Sequence, residues 1–122
     1  MDLNSLKDRG KFAVMGVGNP DRGDDGAGPY IADKLISDGF KNVFNCLSVP
    51  ENYLGKVGDL NPDIVLIADA VDMGRPPGFF TLADPDSIRQ GITTHNAGLD
   101  MIAKFLKMSS EAEIYILAVQ PS

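Results

Sequence analysis

The segment VMGVGNPDRGDDGAGPY (Val14–Tyr30) joins an apolar strand to the start of a helix through a glycine-rich turn. The strand is predicted over Lys11–Val17, and Pro29 suits the first turn of the helix, where a missing N–H costs no hydrogen bond. A strand, a glycine turn and a helix in this order are typical of α/β domains. The turn also carries three aspartates where a nucleotide-binding loop would meet phosphate, namely Asp21, Asp24 and Asp25.

Two nucleotide-binding motifs are each incomplete in this turn. The dinucleotide motif G-x-G-x-x-G begins at Gly16 and Gly18, but Asp21 replaces its third glycine. The phosphate loop G-x-x-x-x-G-K has its glycine spacing at Gly18 and Gly23, but Asp24 replaces the lysine. A carboxylate about 4 Å from a phosphate charge costs about 4 kcal/mol at an effective dielectric constant of about 20. A nucleotide-binding domain is therefore disfavoured unless a metal ion intervenes.

Apolar runs alternate with helical patterns along the rest of the chain. The clearest strand, DIVLIADAV, is continuously apolar over Ile64–Ala68, which is typical of a parallel strand buried on both faces. Further strands are predicted at 42–49, 79–84 and 113–121, and further helices at 50–58 and 96–108. This order predicts a three-layer α/β/α sandwich with a mostly parallel five-stranded sheet, in a single domain over 1–122. Prolines before 79–84 indicate an edge strand.

Composition excludes several classes of protein. The chain has 122 residues and a formal charge of −6, which argues against a nucleic-acid partner. Its one cysteine gives no disulfide framework and favours a reducing, cytoplasmic compartment. The N-terminal residues lack the pattern of a signal peptide, and no apolar run approaches the length of a membrane span. We therefore expect no membrane insertion.

The adjacent aspartates of the turn allow two interpretations. A carboxylate at a helix start can cap unpaired N–H groups and complement the helix dipole. One aspartate would suffice for that role, whereas Asp24 and Asp25 form an adjacent pair that a cation would neutralise. The residues alone leave both capping and a metal site open.

Two further side chains are predicted at the same edge of the sheet. Asp69 ends the run DIVLIAD, and His95, the only histidine, precedes a predicted helix. Ligands of parallel α/β sheets bind beyond the carboxyl ends of the strands, where the strand order reverses. If the first and third strands are neighbours, Asp25, Asp69 and His95 form an N/O donor set suited to nickel, zinc or a similar ion. The alternatives are a turn or helix cap at Asp69 and a structural hydrogen bond at His95.

Other catalytic patterns are weak. A Cys46–His95 pair is disfavoured, because a cysteine in the middle of a strand is seldom exposed or activated. The chain contains neither a G-x-S-x-G elbow nor an H-E-x-x-H helix.

Four motifs together resemble the hydrogenase maturation endopeptidases. They are the strand, G-x-G-N turn and acidic pair of the first segment, then LIADAVD, HNAGL and AVQP, in the order and approximate spacing of that family. The set spans nearly the whole chain. The acidic pair followed by Gly-Ala-Gly-Pro is most similar to the branch that serves membrane-bound, energy-converting hydrogenases.

The resemblance implies the strand order 2-1-3-5-4 with the fourth strand antiparallel, a phosphorylase/hydrolase-like arrangement. It implies an endopeptidase that removes a short C-terminal peptide from the nickel-loaded precursor of a nickel–iron hydrogenase large subunit. Matched motif by motif, the metal-contacting and catalytic residues fall on Asp25, Asp69 and His95, while Gly18 and Asn19 shape the first loop. The nickel is expected to arrive with the substrate, and no organic cofactor is expected.

The chain departs from the resemblance in two respects. It stops at VQPS, where the family usually continues with a loop and a helix, and its first loop is unusually charged through Asp21 and Arg22. We expect a monomer whose partner is the large-subunit precursor. An alternative function is a non-cleaving nickel checkpoint or chaperone that binds the same precursor.

Overall fold

The computed structural model describes residues 10–21, 26–85, 93–94 and 99–121. Within these ranges the chain forms, in order, β1 (Phe12–Val17), α1 (Ala27–Ser37), β2 (Val43–Leu47), a 3₁₀ helix (Pro50–Tyr53), α2 (Leu54–Asp59), β3 (Ile64–Asp72), β4 (Phe80–Ala83), β5 (Thr93–Thr94), α3 (Leu99–Ser109) and β6 (Glu113–Val119). None of the described helices combines the length and apolar character needed to cross a membrane.

The main sheet has the order β2-β1-β3-β6-β4. Strand β4 lies at an edge and runs antiparallel to β6, while the other neighbouring pairs on this path are parallel. Since β6 is the fifth of the predicted strands, this arrangement confirms the predicted order 2-1-3-5-4. The prediction missed β5, which pairs with the end of β3 through Thr93 and Thr94. A two-residue strand is too short to leave a periodic pattern in the sequence.

Helices cover both faces of the sheet, which confirms the predicted three-layer sandwich. The larger apolar cluster includes Val57 of α2 and Leu106 of α3, together with Ile67 of β3. The smaller cluster includes Leu66 of β3, with Ile31 of α1 packed against it. Neighbouring residues of β3 thus point to opposite faces, as the pleat of a strand requires.

The pairing of β3 determines where Asp69 lies. The strand is buried over 64–71 and has β1 on one side and β6 on the other. Strand β1 pairs with it only as far as Gly16 opposite Ala68, so Asp69 is the first residue of β3 beyond the β1 ladder. The strand predicted from DIVLIADAV ends at Val71, one residue short, and Asp69 lies inside the strand and not at its end. Pairing with β6 and β5 carries β3 on to Asp72.

Two glycines allow α1 to begin directly on the sheet. A β-carbon on Gly28 would overlap the carbonyl oxygen of Val17 and lie 2.5 Å from that of Ala68. A β-carbon on Gly16 would in turn overlap the carbonyl oxygen of Gly28. The helix therefore starts at the carboxyl end of β1 and against the middle of β3, next to the backbone of Asp69.

Candidate functional site

A cleft of about 700 Å³ lies at the carboxyl edge of the sheet. It is lined by Pro20 of the first loop, Tyr30 of α1, Leu47 of β2 and Gln120 after β6, among others. The chain reverses its strand order between β1 and β3 at this edge. Parallel α/β sheets bind their ligands at such a point.

Of the three residues that the sequence predicted to be functional, Asp69 is the one that lies within the described part of the chain. It is 0% exposed, and its Oδ1 accepts a hydrogen bond from the backbone N–H of Ala70 at 2.9 Å. Its position in the strand places it on the same face as Ile67 and Val71, which is the face covered by α2 and α3. Burying a carboxylate is costly unless hydrogen bonds or a cation compensate. Asp69 thus lies within a strand as a fully buried carboxylate.

Asp25 and His95 lie outside the described residues, but one sequence neighbour of each, Gly26 and Thr94, is described. Gly26 occupies the N-cap position of α1, so the cap residue itself carries no side-chain oxygen. Thr94 pairs with Val71, two residues after Asp69. Among the described residues, no three His, Cys, Asp or Glu side chains are grouped so that they could hold a metal ion. The three-residue ligand set therefore stays a prediction.

The first loop leaves β1 in a hydrogen-bonded conformation. The N–H of Gly18 donates to the carbonyl oxygen of Leu47 at 2.8 Å, which ties the loop to the end of β2. The side-chain Oδ1 of Asn19 accepts from the N–H of Asp21 at 3.0 Å. Gly18 and Asn19 thus have the loop-shaping contacts that the sequence led us to expect.

Gln120 is a residue of the cleft that the sequence reasoning missed. Its Oε1 accepts from the N–H groups of Met73 at 2.6 Å and Arg75 at 3.3 Å, and its Nε2 donates to Asp72 Oδ1 at 3.2 Å. The side chain of Gln120, which is only 8% exposed, therefore holds the start of the β3–β4 loop. The only mark of this role in the sequence is that Gln120 is a single polar residue between an apolar strand and Pro121.

Cys46 has the properties of a core residue. It is fully buried in the larger apolar cluster. Burial, and to a smaller extent the carboxylate of Glu51, raises the pKa of its thiol to about 12. A thiol that stays protonated at neutral pH is a poor nucleophile. This finding supports the rejection of a Cys46–His95 pair.

Comparison with known proteins reveals the family. The family model HycI, a hydrogenase maturation protease, matches residues 37–122. The chain belongs to the hydrogenase maturation proteases. It is 40% identical over 112 residues to the hydrogenase 3 maturation protease of Escherichia coli K12, a match that covers 88% of this chain and 71% of that protein.

Solved structures of hydrogenase maturation proteases share the fold. The protease HycI from Thermococcus kodakarensis superimposes with a TM-score of 0.82 at 31% identity, over 92% of this chain and 74% of that chain. The endopeptidase HycI from E. coli gives a TM-score of 0.80 at 35% identity over the same shares. The predicted family, its peptidase class and its sheet order are therefore confirmed.

Proposed function

We propose that this maturation protease removes a short C-terminal peptide from the precursor of a nickel–iron hydrogenase large subunit after nickel has been inserted. Membership of the family supports the class of reaction. The observation that carries the proposal is the buried carboxylate of Asp69 at the carboxyl edge of the sheet. A cleft large enough for several peptide residues opens at the same edge.

We further propose that Asp25, Asp69 and His95 recognise the nickel ion that the precursor carries. For Asp25, the proposal is supported by the packing of the first turn of α1 against Val17, because Asp25 directly precedes the helix N-cap. For the segment that contains His95, the proposal is supported by the pairing of Thr94 with Val71 and by the burial of Leu99. Two carboxylates and an imidazole are a donor set that a first-row divalent ion accepts.

In this proposal the nickel is part of the substrate. Ligands from the protease would complete the coordination of an ion already held by the precursor, so cleavage would depend on prior loading. A metal ion near a peptide bond can polarise its carbonyl group or activate a water molecule. The buried side chain of Asp69 is fixed by its hydrogen bond to Ala70, which favours a defined position for the ion. We assign no general base.

The setting of the reaction is also proposed. We infer that the protein works as a monomer in the cytoplasm, without an organic cofactor and without a nucleic-acid partner. The single cysteine, buried and protonated at neutral pH, is consistent with a reducing compartment. The formal charge of −6 makes an affinity for nucleic acid unfavourable.

The experiment is a mass measurement of the nickel-loaded precursor after incubation with the protease. We expect the wild type to shorten the precursor, and Asp25→Ala, Asp69→Ala and His95→Ala each to leave its mass unchanged. Asp59→Ala is the matched control, because Asp59 is an exposed aspartate at the end of α2, which leads into the opposite edge of the sheet. A stable complex with unchanged mass in the wild type would instead favour the non-cleaving checkpoint.

A further inference from the structure

Leu47, at the end of β2, combines properties that conflict for a leucine. Its φ is +51°, in the left-handed region where a β-carbon crowds the backbone. Its side chain is 44% exposed, so apolar burial within the chain gives little compensation. That side chain lines the cleft at the carboxyl edge. Leucine is an unfavourable residue for this conformation and this degree of exposure.

The other positions with positive φ in the described parts of the chain show the usual solution. Those that are not glycine are Asn42, at +62°, and Asn61, at +51°. Asparagine tolerates this region because its short polar side chain hydrogen-bonds locally. Leu47 is the exception among them. Backbone strain that persists at a single surface residue is characteristic of functional sites.

Local contacts hold Leu47 in this conformation. The register of the β1–β2 pair slips before Val17, which lies opposite Leu47 while Cys46 is skipped. The N–H of Leu47 donates to Asn45 Oδ1 at 3.2 Å, and its carbonyl oxygen accepts from Gly18. Irregularities of this kind redirect a side chain and are frequent next to active sites. These contacts fix the backbone of Leu47 where the residue lines the cleft.

The surroundings of Leu47 suit an apolar group on one side and a polar backbone on the other. Pro29 and Tyr30 at the start of α1 line the same cleft, and Tyr30 is 70% exposed. On the polar side, Asn45 Nδ2 donates to Asp33 Oδ1 at 3.0 Å, which locks the Asn45 amide. An extended peptide presents both kinds of group at once, because its apolar side chains alternate with backbone N–H and C=O groups.

We propose that Leu47 is a specificity-determining residue that contacts an apolar side chain of the precursor close to the cleaved bond. The inference rests on the proposed function. Leu47 and Asp69 lie on β2 and β3, on either side of β1, so their backbones are two strand spacings, on the order of 10 Å, apart. An extended chain covers that span in about three residues. The contacted side chain therefore lies about three or four residues along the precursor from the part that passes over the backbone of Asp69, whose own side chain is buried and is not among the residues that line the cleft.

The test is the variant Leu47→Asn, assayed on the nickel-loaded precursor. We expect KM to rise at least tenfold while kcat stays within about twofold, because the lost contact binds substrate away from the reacting atoms. The melting temperature should stay the same or rise, since asparagine suits the backbone. Leu47→Met should keep a KM near that of the wild type. Asn61→Leu is the matched control, since it puts leucine into the same φ region in the α2–β3 connection and should lower stability without changing KM.

A second readout separates this inference from the proposed function. The affinity for the labelled, nickel-loaded precursor is titrated directly, with wild-type protease and with Leu47→Asn. An unchanged Kd and KM would overturn the role of Leu47 while leaving the proposed processing intact. Failure of the wild type to shorten the precursor would overturn the proposed function, and a weakened Kd in Leu47→Asn would then still support the contact. Binding by neither protein would overturn both.

Discussion

Gly28 in the first turn of α1 lies so close to Val17 at the end of β1 that a β-carbon on Gly28 would overlap the Val17 carbonyl oxygen. This contact fixes the beginning of the helix over the carboxyl end of β1 and beside the middle of β3. The first turn of α1 therefore lies next to the backbone of Ala68, the residue before Asp69. The shape of the candidate site depends on this close packing of backbone against backbone.

Gly28→Ala should destabilise the fold. The added methyl group would meet backbone atoms of β1 and β3 that cannot move aside as a flexible side chain would. Overpacking of this kind typically costs about 1–3 kcal/mol and occasionally more. Denaturant unfolding gives the measurement. Gly58→Ala is the control, because a methyl group added to Gly58 in α2 would point into open space, and it should be neutral or stabilising by up to about 1 kcal/mol. Equal effects of the two changes would contradict the packing argument.

Asp69→Asn should separate the charge of this residue from its structural hydrogen bond. The amide oxygen can still accept from Ala70, so the unfolding midpoint should change little. The neutral side chain is a poor ligand for a divalent ion, and we expect the rate of processing to fall at least a hundredfold. The rate is followed by mass spectrometry of the precursor. Normal processing by a folded Asp69→Asn protein would exclude Asp69 as a ligand.

Gln120→Ala should loosen the start of the β3–β4 loop. The change removes the acceptor of two backbone N–H groups, those of Met73 and Arg75. Each backbone group left without a partner costs about 1–3 kcal/mol where water cannot replace the lost bond. Hydrogen exchange at these two amides should accelerate well before that of the core strands. Unchanged exchange would mean that the loop is held by other contacts.

The thiol of Cys46 should be unreactive in the folded protein. Because burial raises its pKa to about 12, thiol reagents at pH 8 should label it only after unfolding. Cys46→Ala should process the precursor at the wild-type rate. Since the folded pKa exceeds the ordinary value of 9.0, the contribution of this thiol to stability is complete below pH 9 and is lost as the pH rises toward 12. Rapid labelling at pH 8, or a loss of processing in Cys46→Ala, would reopen a catalytic role.

Much of the fold was predictable because its signals are local and periodic. The continuous apolar run of β3 indicated a central buried strand, and the prolines before β4 indicated an edge. The strand was predicted to end at Val71 and continues for one more residue, because Asp72 pairs with β5, which lies far along the chain. The role of Gln120 was unpredictable for the same reason, since the N–H groups of Met73 and Arg75 that it binds lie more than 40 residues away.

The candidate site was predictable to a smaller extent. Asp69 could be located because a carboxylate that interrupts an apolar strand is conspicuous, and the structure buries it completely, while its role as a ligand stays a prediction. Leu47 carried no signal, since its left-handed backbone arises from a slip in register that no single residue type reveals. Asp25 and His95 lie outside the described residues, and their roles stay predictions.

The measurement that tests the central proposal most directly compares two forms of one large-subunit precursor, with and without nickel. Both are incubated with the wild-type protease, and the mass of each is followed over time. Recognition of the ion predicts that the loaded form loses its C-terminal peptide while the nickel-free form keeps its full mass. Cleavage of both forms at the same rate would contradict the proposal that the protease recognises nickel.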